Sequence, residues 1–211
     1  MLSFYQFNKG GINMAAILQS LERTIVAGVV LLIAIIIVGG VVSGQFIKLD
    51  HAWFTFFMRY LHVLSGVMWI GLLWYFNFVQ IPTVPKIEPA EHRAAVSKYI
   101  APSALWWFRY GALATVVTGL LLASMNGYIL QALTLRAGTV AIGIGMWLAL
   151  IMAFNVWFII WPNQQKALGL VEVKAEDKPA AARIAMLASR TNTMLSIPML
   201  FCMVAQQNAG L

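Results

Sequence analysis

The stretch Thr24–Ile47, TIVAGVVLLIAIIIVGGVVSGQFI, decides the fold class. It carries no charged residue and exceeds the roughly 20 apolar residues that a helix needs to cross a bilayer. Isoleucine, valine and leucine cover every side of it, so no polar face is left for water. In lipid each backbone N–H and C=O must be bonded internally, and a single segment can achieve this only as a helix. It is too long for the apolar core of a signal peptide and has no small-residue cleavage site at the usual place, so it is expected to stay as a helix.

Four further stretches extend the pattern. Trp53–Ile81 is interrupted only by Arg59, Ala104–Met125 only by Arg109, and Ala137–Trp161 is uncharged. The last, about 191–208, is the least apolar and reads as the membrane half of a longer helix that begins near Pro179, since proline suits a first helical turn. Pro82, Pro85, Pro89 and Pro162 punctuate the ends of the second and fourth spans, and short surface helices are expected over about 89–100 and 179–190. Across all 211 residues 61% are hydrophobic and 10% charged, with mean hydropathy +0.81. Soluble domains carry about 25% charged residues, so a soluble enzyme and a disordered chain are both excluded. The expectation is an all-α integral membrane bundle, one domain over 1–211, with about five transmembrane helices (about 24–47, 53–81, 104–125, 137–161 and 191–208) and no internal repeat.

Lysine and arginine set the expected orientation. Lys9, Arg23, Lys86, Arg93, Lys98, Lys166, Lys174, Lys178, Arg183 and Arg190 fall on one side, while Lys48 and Arg136 fall on the other. The positive-inside rule puts the amino terminus in the cytoplasm and, after five spans, the carboxyl terminus outside. In a bacterium that means the inner membrane, with a periplasmic carboxyl terminus. The same rule accounts for the net charge of +7 without a nucleic-acid partner. A single cysteine, Cys202, excludes a disulfide framework, a cysteine-type zinc site and a Cys-x-x-Cys-His haem attachment.

None of the seven Asp and Glu residues lies in a span. Proton relays and sodium sites usually rely on intramembrane carboxylates, which argues against a carboxylate-coupled pump. The second span instead carries Arg59, His62, Ser65, Gly66 and Trp69 at helical spacing on one face. An ionisable group at membrane depth is costly, and histidine there is by default a ligand candidate for haem iron or another metal. With no acid in the spans, Arg59 would meet a haem propionate, an anionic substrate or a lipid phosphate, or simply snorkel to the headgroups. Small residues beside His62 leave room for a flat ring. His51 and His62 stand 11 residues apart, about 16 Å along a helix, so they cannot ligate one iron. His92 falls on the cytoplasmic side, which leaves no histidine to complete a bis-histidine site within the chain. Met203, one turn from Met199, is the candidate for a further ligand. Arg109 and Asn155 are weaker substrate-site candidates, and a helix-to-helix hydrogen bond is the favoured reading of Asn155.

Three strings carry a family resemblance: Arg59–Gly71 (RYLHVLSGVMWIG), Ala104–Ala112 (ALWWFRYGA) and Asn155–Lys166 (NVWFIIWPNQQK). Over most of 50–208 the chain resembles the amino-terminal membrane domain of PuuD-type urate oxidases. The Leu-His…Trp-x-Gly piece alone also resembles CopD-like copper-resistance proteins and HemJ-type protoporphyrinogen oxidases, whereas Trp-Pro-Asn-Gln-x-Lys points to the urate oxidase group. The resemblance implies a membrane oxidoreductase that hydroxylates urate and passes electrons to a fused cytochrome c domain. This chain ends at Leu211 with no Cys-x-x-Cys-His, so a separate cytochrome is the expected acceptor. The leading expectation is a module binding haem b, with His62 as axial ligand, Arg59 as anion partner, and Ser65, Gly66 and Trp69 around the ring. Two alternatives use the same residues: a non-catalytic accessory subunit of a larger membrane complex, and a copper-handling protein ligating through His62 and methionines. A homo-oligomer is compatible with each.

Overall fold

The structure is a computed structural model and describes residues 14–208. Every regular element among them is helical. The chain divides into two compact units, Met1–Trp53 and Phe54–Leu211.

In the first unit a short helix α1 (Met14–Leu18) precedes α2 (Leu21–Ser43). Ser20 caps α2, its Oγ accepting from the Arg23 N–H, and Glu22 in the first turn faces the positive end of the helix dipole. The helix stops at Ser43 rather than running to Ile47, because Gly44 adopts φ +67° and reverses the chain. Phe46 then folds back against Gly40, 3.0 Å from where a Cβ would stand. Leu32, Ile36 and the other large residues of α2 remain exposed all round the helix. That is the surface a lipid-facing helix presents.

The second unit is a bundle of long helices. From Phe54 on it takes in α3, a helix that spans His51–Lys86, followed by α4 (Ala90–Met125), a short α5 (Ile129–Leu133), α6 (Val140–Ala167) and α7 (Lys178–Ala205). Four helices of the described residues are long and apolar enough to cross a membrane: α2, α3, α4 and α6. The expected fifth span lies inside α7, whose first half carries Lys178, Arg183 and Arg190 and lowers its hydropathy. The segments expected as surface helices are also parts of long helices. Residues 90–100 form the first turns of α4, and 179–190 lie in the first half of α7, with Ala181, Ala185 and Ser189 buried.

Prolines shape α3, α4 and α6 in one way. In each, a π-helical run ends two residues before the proline: Tyr75–Gln80 before Pro82, Val96–Ile100 before Pro102, Asn155–Ile160 before Pro162. Proline has no N–H, and its ring crowds the carbonyl four residues back. The chain responds with bonds that reach five residues back, Ile81 N–H to Phe76 O, Ala101 to Val96 and Trp161 to Val156.

The core fills the space between α3, α4 and α6 with Trp69, Leu73, Phe108, Met152 and Val156. Gly111 lets α4 approach the Trp69 backbone, since a Cβ there would stand 3.3 Å from its nitrogen. A polar seam on α7, Ser189, Asn192 and Ser196, fixes that helix to its neighbours. Asn77 Nδ2 donates to Ser189 Oγ at 2.8 Å and Trp74 Nε1 to Ser196 Oγ at 3.0 Å. From α6, Asn155 Nδ2 donates to Asn192 Oδ1 at 2.9 Å, while Asn192 Nδ2 donates to the Met152 carbonyl at 2.9 Å.

Candidate cofactor site

His62 lies three turns into α3 and turns its ring toward α4. Its Nδ1 is 2.9 Å from the Thr115 carbonyl oxygen and 3.3 Å from Thr118 Oγ1. A carbonyl only accepts, so Nδ1 carries the proton and donates, and the neutral ring keeps its lone pair on Nε2. Backbone bonding of one ring nitrogen is how proteins orient a histidine that ligates through the other. Gly119 makes the fit possible. A Cβ at that position would stand 2.8 Å from His62 Cε1 and 3.1 Å from Nδ1.

His62 forms part of the wall of a cavity of about 620 Å³ between α3, α4, α6 and α7. Small-molecule and cofactor pockets span roughly 300–1,000 Å³ and are mostly apolar with a few placed polar groups, which describes this one. Arg59, Gly66, Trp69 and Met203 line the same space, as do Met146 and Met199. The Arg59 Nε is buried and bonds no group among the described residues. Trp69 is fully buried, with its indole N–H unpartnered. Tyr128 in the turn before α5, together with Gln207 and Asn208 beyond α7, also lines the cavity. Burial pushes the Tyr128 phenol above its ordinary value, against an opposing pull from the Arg59 guanidinium, so the hydroxyl remains a donor at neutral pH.

Five of the residues singled out in the sequence therefore share one cavity: Arg59, His62, Gly66, Trp69 and Met203. Three do not line it. The Ser65 hydroxyl bonds the Leu61 and His62 carbonyls of its own helix, at 2.9 and 3.0 Å. Asn155 is engaged with Asn192 in the seam. Arg109 lies with its guanidinium carbon 3.4 Å from the centre of the Trp161 ring. The sequence reading missed Thr115, Thr118, Gly119 and Tyr128. The small and polar positions Gly111, Thr115, Thr118 and Gly119 do recur at helical spacing in the third span, a signal for the face that meets α3. Tyr128 carries no such mark. The described residues contain no group of three or more His, Cys, Asp or Glu able to hold a metal ion.

Residues 125–209 match the family model described as Urate oxidase N-terminal. No curated protein and no solved structure matches the chain. The urate oxidase N-terminal match takes in α5, α6 and α7, with the Trp-Pro-Asn-Gln-x-Lys string, Tyr128 and Met203. It supports a membrane domain of that type. Arg59, His62 and Trp69, on α3, lie outside the matched stretch, so their roles rest on the geometry of the cavity alone.

Proposed function

We propose that the second unit is a haem-b-binding membrane module of an oxidoreductase of the urate oxidase N-terminal type. In it His62 Nε2 would ligate the haem iron, and Arg59, with Tyr128 on the same cavity wall, would meet a propionate. The observation that carries this reading is the His62 ring held through Nδ1 at the wall of a cofactor-sized cavity, with an arginine one helical turn away that bonds no group among the described residues. The residues present fit the group: one neutral imidazole with a free lone pair, a cation with no carboxylate partner among the described residues, and apolar walls. Gly66 and Trp69 border the ring, and Met203 is the side chain available as a second ligand. Bound haem supplies a one-electron carrier, and the protein orients it, keeps water away and passes electrons to a cytochrome partner. The chain is placed in a bacterial inner membrane with α7 as a fifth span, amino terminus cytoplasmic and carboxyl terminus periplasmic. That topology puts His62 in the outer half, near a periplasmic acceptor.

The test is a dithionite-reduced minus oxidised spectrum of the detergent-purified protein from haem-replete cells, beside His62→Ala. A b-type Soret and α band in the wild type that is lost in the variant is the expected result. A folded, monodisperse wild-type protein with no chromophore would overturn the reading and favour the accessory-subunit alternative.

A further inference from the structure

A second cationic site lies on the outside of the bundle. Arg109 stacks on Trp161 at 3.4 Å and lies 5.5 and 5.7 Å from the Trp157 and Tyr110 rings. These contacts set the guanidinium over the Trp161 ring and beside the other two. The aromatic ledge continues outward: Tyr110 packs edge-on to Trp157 at 5.8 Å and against Trp106 at 4.7 Å, and Trp106 packs against Trp107 at 4.9 Å. Trp106, Trp107 and Tyr110 are all exposed. Arg109 makes no hydrogen bond or ion pair among the described residues, and its Nε is buried without a partner while its terminal nitrogens are not. A guanidinium stacked this way is left with the forked edge that fits a phosphate bidentately.

Depth selects the source of the phosphate. Arg109 is 16 residues before Met125, where α4 ends, or about 24 Å along the helix. Against a hydrocarbon core about 30 Å thick, its Cα lies roughly 6 Å inside the far boundary, so the side chain reaches the phosphate layer. The helix ends at this side of the unit carry Lys86, Lys98, Lys166 and Arg183, a basic surround suited to anionic headgroups. We infer that Arg109, held flat on Trp161 beside the exposed Trp106–Tyr110 ledge, binds the phosphate of an anionic phospholipid. This site is separate from the cavity and stands whether or not haem is bound.

Native mass spectrometry of the delipidated full chain with phosphatidylglycerol or phosphatidylcholine tests it. The wild type should retain phosphatidylglycerol about tenfold better than phosphatidylcholine, because the choline cation offsets the phosphate charge and is repelled by the guanidinium and its basic surround. Arg109→Gln should abolish that difference, Arg109→Lys should keep only part of it because lysine cannot stack and fork, and Arg136→Gln at the opposite end should leave it intact. If Arg109→Gln does not yield folded protein, the lysine variant decides. Undiminished phosphatidylglycerol preference in either Arg109 variant would overturn the proposal. So would displacement of the lipid by inorganic phosphate alone, which would show a phosphate site with no preference for a membrane source.

Discussion

Gly119 is where one absent methyl group decides what a neighbouring helix can do. With Cβ 2.8 Å from His62 Cε1, Gly119→Ala forces the ring to swing and stretches the Nδ1 bond to Thr115. Overpacking of this kind costs about 1–3 kcal/mol. The variant should bind haem about tenfold more weakly, an effect of ~1.4 kcal/mol, read as haem per protein after gel filtration. Unchanged haem content would mean that the ring does not ligate in the observed position. His62 itself was legible in the sequence because an ionisable side chain in an apolar span stands out. Gly119 and the Thr115 carbonyl were not, since they lie more than 50 residues away and neither a glycine in a small-residue run nor a backbone oxygen carries a mark. Arg109 and Asn155 show the converse. Both stood out as polar residues in spans, yet one is taken up by aromatic rings and the other by a helix-to-helix bond.

At the scale of elements, α7 shows why hydropathy finds some helices and misses others. Its cations face outward while Ala185, Ser189, Asn192 and Ser196 form a buried stripe, so a segment average conceals a helix held by packing and hydrogen bonds. Asn192→Leu leaves Asn155 Nδ2 without its acceptor and removes the side-chain bond to the Met152 carbonyl. At about 0.6–1.7 kcal/mol per interhelical bond, the protein should lose about 1–3 kcal/mol in a denaturation assay in mild detergent. Paired with Asn155→Ala, the double variant should lose less than the sum. Strict additivity would show that the seam is not a unit. Gly143→Ala is a sharper case, because the new Cβ would collide with the Ala132 carbonyl at the α5–α6 contact. A loss of about 2 kcal/mol or more is expected, since backbone cannot yield as a side chain can. The π-helical runs had no separate signature in the sequence, although Pro82, Pro102 and Pro162 mark where each ends. The sequence places span ends at Pro82 and Pro162, but at both the ladder widens and the helix continues.

For the whole molecule, the apolar spans settle the class, and the positions of Lys and Arg give an orientation that can be measured. Cys202 is the single cysteine and is buried, so introduced thiols report cleanly. A membrane-impermeant maleimide added to intact spheroplasts should label Arg136→Cys and Asn208→Cys from outside. Lys98→Cys and Lys166→Cys should react only after the membrane is opened. Labelling of Asn208→Cys only after opening would mean that α7 does not cross and that the bundle has four spans. The matched stretch, 125–209, covers α5–α7, whereas the cavity is built equally from α3 and α4. The functional reading of the cavity therefore depends on contacts between distant parts of the chain that no single segment displays.

The central claim is that His62 Nε2 ligates haem, and chemical rescue tests it most directly. His62→Gly, purified from haem-replete cells, should lack the reduced-minus-oxidised b-type bands and regain them on addition of imidazole, which enters the vacated space and supplies the missing ligand. Bands that persist in His62→Gly without imidazole would contradict the claim and place the iron ligand elsewhere.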